Sequence, residues 1–116
     1  MRLLLDTHTF LWFVSGNPKL SANARRLIED TENSRALSVA SLWEIAIKAS
    51  IGKLKLDLSI IDLVDIHIKS NAIGLLNISP KHLDSLLELP FHHKDPFDRL
   101  IISQGKTENL MLCKQR

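Results

Sequence analysis

The chain has 116 residues, of which 45% are apolar and 24% charged. That is the mix of a soluble globular protein with enough chain for one core and not for two. Fifteen Lys and Arg stand against 13 Asp and Glu, a net charge of +2, which excludes a polybasic nucleic-acid arm but not a local basic rim. The lone cysteine, Cys113, excludes an intrachain disulfide and a Cys-based zinc site and fits a reducing compartment. The apolar opening is cut by Asp6, far short of a signal-peptide core. A cytoplasmic location is therefore expected.

Taken in chain order, turn signals divide the sequence into short alternating elements. Arg2–Leu5 is a continuous apolar run, as in a strand buried on both faces. Residues 7–14 are apolar and aromatic and predict a helix, ended by Gly16-Asn17-Pro18. Ser21 starts a second helix, with Ala24, Leu27 and Ile28 on one face and Arg25, Arg26 and Glu29 on the other. Residues 36–39 form a second strand candidate. Residues 41–51 follow as a helix, in which Ser41 and Glu44 spell a capping box and Gly52 marks the end. Residues 60–69 predict an amphipathic helix and 73–78 a third strand. Ser79-Pro80 and Asp95-Pro96 are two further helix starts, with a cap and a proline at the first helical position. The second of these helices runs to about Glu108, and residues 110–113 make a fourth strand candidate.

Strands separated by helices imply crossover connections and a parallel sheet covered on both faces, an α/β fold. Ligands of such sheets bind beyond the carboxyl ends of the strands. Asp6 follows the first strand directly. It has two possible roles, a carboxylate at the sheet's carboxyl edge or the cap of the next helix. Glu44 has three: a capping-box residue, a partner of Lys48 one turn on, or a functional group beside apolar Trp43, Ile45, Ala46 and Ile47. Asp95 is the cap of the last helix. Asp98 is its third residue, favoured there by the helix dipole. If these acids converge, like charges repel and at least one pKa rises. A hard divalent ion resolves the conflict, takes oxygen ligands and activates water, which points to metal-assisted phosphodiester hydrolysis.

Several blocks then carry a resemblance. These are Asp6-Thr7-His8 with Leu11-Trp12, Ser41-Leu42-Trp43-Glu44-Ile45-Ala46-Ile47-Lys48, Gly52-Lys53-Leu54, Leu89-Pro90, and His92-His93-Lys94-Asp95-Pro96-Phe97-Asp98-Arg99-Leu100-Ile101-Ile102. In this order they resemble the PIN domain, and more narrowly the VapC-type toxins of bacterial toxin–antitoxin pairs. The resemblance implies a three-layer α/β/α domain with a short central parallel sheet. It also implies an Mg²⁺- or Mn²⁺-dependent ribonuclease site in which Asp6, Glu44 and Asp98 match three acids of a quartet, while Asp95 assists or only caps. A cognate antitoxin covering the site and a homodimer are implied as well. The pattern departs from the family near its end, where a further segment carrying the fourth acid is expected but no acid follows Glu108. The expectation is one domain over residues 1–116 lacking its C-terminal segment, with weakened metal binding. Gly105 stands where the subgroup prefers Ala.

Lys48, Lys53 and Lys55 gather around Gly52. They are either a solvated face or, if Glu44 is in the site, a rim for RNA phosphates. Arg99 is open to a carboxylate or a phosphate. Among His8, His67, His82, His92 and His93 no His-x-x-x-His pair supports zinc, and His92-His93 reads as a polar surface loop. Phe10, Trp12, Phe13 and Trp43 read mostly as core, with an interface role open to some. Two other classes compete with the nuclease. One is a degenerate PIN domain that only binds an antitoxin or dimerises. The other is a phosphotransfer domain with Asp at a strand end, against which Thr9 stands where an aspartyl phosphatase needs a second Asp.

Overall fold

A computed structural model describes residues 1–91 and 94–114; His92, His93, Gln115 and Arg116 lie outside the described residues, and with them the reading of His92-His93 as a surface loop. Four strands, β1 (Arg2–Leu5), β2 (Ser34–Ser38), β3 (Ile73–Leu76) and β4 (Met111–Cys113), form one all-parallel sheet in the order β3-β2-β1-β4. Helices α1 (Thr7–Ser15) and α2 (Ala22–Glu29) connect β1 to β2. Helix α3 (Val39–Ser50) and a helical stretch that starts as α4 (Ile60–Asp62) connect β2 to β3. Helices α5 (Pro80–Leu87) and α6 (Pro96–Glu108) return the chain to β4.

The strand order decides the layers. From β1 the chain steps outward to β2 and β3, then crosses back to place β4 on the other side of β1. Right-handed crossovers in opposite directions put their helices on opposite faces. Side-chain alternation agrees. Leu5 is in register with Leu37 and Cys113. All three join Phe10 of α1, Ile28 of α2, Ile45 of α3, and Leu63 and Ile68 in one buried cluster. Leu4 points the other way, in a row with Ala36 and Leu112, and a methyl built on Gly105 of α6 would lie 3.8 Å from its Cδ2. The three-layer α/β/α arrangement expected from the sequence is present.

Several boundaries differ from those the sequence predicts. Helix α3 begins at Val39, not Ser41, because Ser38 accepts a hydrogen bond from the Ala40 N–H at 3.0 Å and so takes the cap. That places Ser41 third in the helix, inside its first turn, and rules out the capping box with Glu44. Strand β2 correspondingly starts earlier, at Ser34, and strand β3 ends at Leu76. Beyond Asp62 the predicted 60–69 helix widens into a π-helical turn, Leu63–Ile68, which turns Leu63 and Ile68 into the core beneath β3. The remaining caps fall where the sequence puts them. Ser21 accepts from the Ala24 N–H, and Asp95 accepts from the N–H groups of Phe97 and Asp98.

Candidate acidic active site

Strand β1 lies between β2 and β4; the chain leaves β1 toward β2 and later crosses back from β3 past β1 to β4, so the connections on its two sides run in opposite directions. Its carboxyl end is therefore the switch point of the sheet, where open α/β sheets hold their ligands. Asp6 stands there, tied by its N–H to the Cys113 carbonyl at 3.0 Å. It occupies the N-cap position of α1, yet its carboxylate makes no capping bond. Among the described residues it makes no side-chain hydrogen bond or ion pair at all, although Asp6 is only 5% exposed. A buried carboxylate not used in capping is the first sign of a ligand site. Its charge is felt nearby: burial, and then Asp6, push the Cys113 thiol above its ordinary range.

Glu44 is 3% exposed on the inward side of α3. Its Oε1 accepts a hydrogen bond from the Thr7 hydroxyl at 2.7 Å, and its Oε2 accepts one from Lys48 Nζ at 2.7 Å. Of the three roles open to Glu44, the capping box is excluded and the Lys48 pair is formed. The Thr7 hydroxyl also lies 2.9 Å from the Ser41 hydroxyl. A hydroxyl has one proton and the carboxylate can only accept, so Thr7 gives its proton to Glu44 and receives that of Ser41. This buried relay fixes the first residue of α1 to the middle of α3.

Asp98 sits in the first turn of α6. Burial is the main cause that raises its pKa; Lys114 opposes the rise, and Asp95, Asp6 and Glu44 add to it. Asp98 therefore lies close enough to Asp95, Asp6 and Glu44 to feel their charge. Lys114 Nζ lies 3.9 Å from the Asp98 carboxylate. The elements are clamped by a ring pair: Trp43, next to Glu44, meets Phe97, next to Asp98, edge to face at 5.2 Å. Sequence reading takes the aromatics mostly as core with an interface role open to some; Trp43 is 58% exposed and bridges α3 to α6. Thr7 and Ser41 were also missed as site residues. The available signal was a pair of hydroxyls at inward-facing helical positions within the Asp6 and Glu44 blocks.

These carboxylates are all hard oxygen donors, suited to Mg²⁺ or Mn²⁺ and not to zinc. Asp6, Glu44, Asp95 and Asp98 oppose two neighbouring ammonium groups, Lys48 and Lys114, so with all ionised the cluster keeps two negative charges. In kind and in charge the residues fit a divalent cation. They are not gathered around one point: among the described residues no group of three or more His, Cys, Asp or Glu is placed to hold an ion. Glu44 is held by Lys48, and Asp95 spends one oxygen on its cap.

Beside the acids a cleft of about 350 Å³ is lined by Thr7, His8, Leu11, Ile45, Lys48, Lys53 and Leu54. Lys48 and Lys53 thus sit together at its edge. Arg99 does not join them. Its guanidinium donates to the carbonyls of Pro90, Leu86 and Leu89 at 3.0, 3.1 and 3.3 Å and lies over the Phe91 ring, fastening the α5–α6 connection. His82 is likewise structural. It is 1% exposed, takes the Ser79 N–H on Nδ1 at 3.0 Å and meets Glu108 through Nε2 at 2.8 Å.

The family model of the PIN domain matches residues 3–113. No curated protein matches the chain. Among solved structures, a chain of the crystal structure of VapBC2 from Rickettsia felis bound to a DNA fragment from its promoter aligns with a TM-score of 0.68. The two are 23% identical, over 97% of this chain and 86% of that one, a likeness of fold.

Proposed function

The chain belongs to the PIN domain family, and on that premise we propose that it is an Mg²⁺- or Mn²⁺-dependent endoribonuclease, the toxin of a toxin–antitoxin pair. The observation that carries this reading is Asp6: a buried carboxylate at the switch point, not used in capping, with Glu44 and Asp98 near enough to share its charge. Asp6, Glu44 and Asp98 would hold the ion. When bound, the ion would activate a water and neutralise charge developing on a phosphodiester.

The chain's own residues have separate tasks. Thr7 and Ser41 orient Glu44 through the buried hydroxyl relay. Asp95 sets the first turn of α6 and so the direction of Asp98. Lys48 and Lys53 offer positive charge to an RNA backbone at the cleft. The VapBC2 likeness supports an antitoxin partner for this chain. A homodimer, a cytoplasmic location and a single domain over residues 1–116 complete the proposal. Among the described residues no helix is long and apolar enough to cross a membrane.

A second reading, a PIN domain that binds its antitoxin without cutting, is favoured by one observation: the acids are not gathered around a common point. Incubation of the purified chain with single-stranded RNA and Mn²⁺ separates the two. The nuclease reading expects cleavage that stops with excess chelator and in Asp6→Asn. Cleavage that persists under chelation rejects the metal mechanism, and inert wild type that still captures an antitoxin establishes the second reading.

A further inference from the structure

Both oxygens of Glu44 are engaged, but by partners of different kinds. Thr7 is 2% exposed and its bond to Oε1 is fixed by packing. Lys48 reaches Oε2 on a flexible four-carbon stem whose side chain is 33% exposed. It is the partner that can leave. It also lines the cleft beside the acids, together with Lys53. Its ammonium is positively charged at neutral pH, so it acts as a fixed positive charge beside Glu44.

A fixed charge at 2.7 Å from a candidate metal ligand has a consequence. A divalent ion on Glu44 would bring two positive charges beside the ammonium, and like charges this close repel strongly. Lys48 is not confined to Glu44, since its side chain is one-third exposed and the residue lines the cleft. We propose that Lys48 is an exchangeable counter-ion: it neutralises Glu44 until a divalent ion takes that carboxylate, then turns into the cleft to meet a phosphate of the RNA strand. The exchange rests on the proposed metal site, and the phosphate contact on the nuclease reading as well.

The test is lysine-by-lysine acetylation of the full chain, read by mass spectrometry, with and without Mn²⁺. Lys48 labelling is expected to rise when Mn²⁺ is added, while the exposed surface residues Lys19, Lys69 and Lys106 stay constant. In Glu44→Gln, Lys48 should label fully whether or not Mn²⁺ is present. Because coupling between two ligands of one site is reciprocal, Lys48→Gln should bind Mn²⁺ about tenfold more tightly by calorimetry while its KM for RNA rises. Lys48 labelling that is indifferent to Mn²⁺, or falls, overturns the proposal, as does unchanged or weaker Mn²⁺ binding by Lys48→Gln. A wild type that exposes Lys48 with Mn²⁺ yet never cuts RNA refutes the nuclease reading and leaves the exchange standing.

Discussion

Replacing Thr7 by Val tests whether the hydroxyl relay orients Glu44. The two side chains have nearly the same shape, so the change removes one hydroxyl and leaves the packing. The lost bond runs at 2.7 Å to a carboxylate that is 3% exposed, and hydrogen bonds to charged groups contribute about 1.5–3 kcal/mol. The Ser41 hydroxyl loses its acceptor too, at about 1 kcal/mol. Against this, the new methyl gains about 0.8 kcal/mol of apolar burial. The net expectation is a loss of about 2–3 kcal/mol in urea unfolding, which lowers Tm by roughly 10 °C in a domain of this size. A double-mutant cycle with Glu44→Gln should show coupling of at least about 1 kcal/mol, and Thr7→Ser should behave nearly as wild type. A Thr7→Val protein within about 0.5 kcal/mol of wild type, uncoupled from Glu44, would refute the relay.

Other substitutions probe the rest of the account. Gly105→Ala should stabilise the fold by about 1 kcal/mol, since Gly is costly inside a helix and the added methyl meets only the Leu110 carbonyl at 3.4 Å and Leu4 Cδ2 at 3.8 Å; a lower Tm would show that α6 packs more tightly on the sheet than described. Asp98→Asn should raise Tm at pH 7. The folded-state pKa of Asp98 is raised, so its charge costs stability above that pKa, and the cost fades as pH falls toward the ordinary Asp range. A Tm gain that stays constant from pH 7 to below pH 4 would contradict that origin. Glu108→Gln should do the opposite. Lys81 first, and then His82, lower the Glu108 pKa, so its charge stabilises the fold above the usual Glu range and that contribution is lost as pH falls through the lowered value. Thermal melts across the acid range check the sign, and a variant as stable as wild type at pH 7 would contradict it.

The fold was legible because its strands are buried on both faces and its helix ends carry strong local signals. Leu3, Leu4 and Leu5 read as a buried strand from their run alone, and Asp95-Pro96 fixed the start of α6. Sequence missed where a local rule competed with a tertiary one. Ser41 and Glu44 have the spacing of a capping box, but Ser38 takes the cap and frees both for the relay with Thr7. Whether Trp43 lay in the core or at a surface was open in the sequence, and only the fold reveals Phe97 as its partner across α3 and α6. Asp6, Glu44 and Asp98 were legible as acids at strand ends and helix starts. That Lys48 pairs with Glu44 was one of the readings open in the sequence, whereas the carbonyls that hold Arg99 come from a connection no local pattern reveals.

The central claim is that carboxylates from β1, α3 and α6 share one divalent ion. Anomalous scattering from crystals grown with Mn²⁺ tests it directly. The account predicts a single strong peak coordinated by oxygens of Asp6, Glu44 and Asp98, with Lys48 Nζ withdrawn from Glu44. A peak elsewhere, with Lys48 still on Glu44 and the three acids apart, would contradict it.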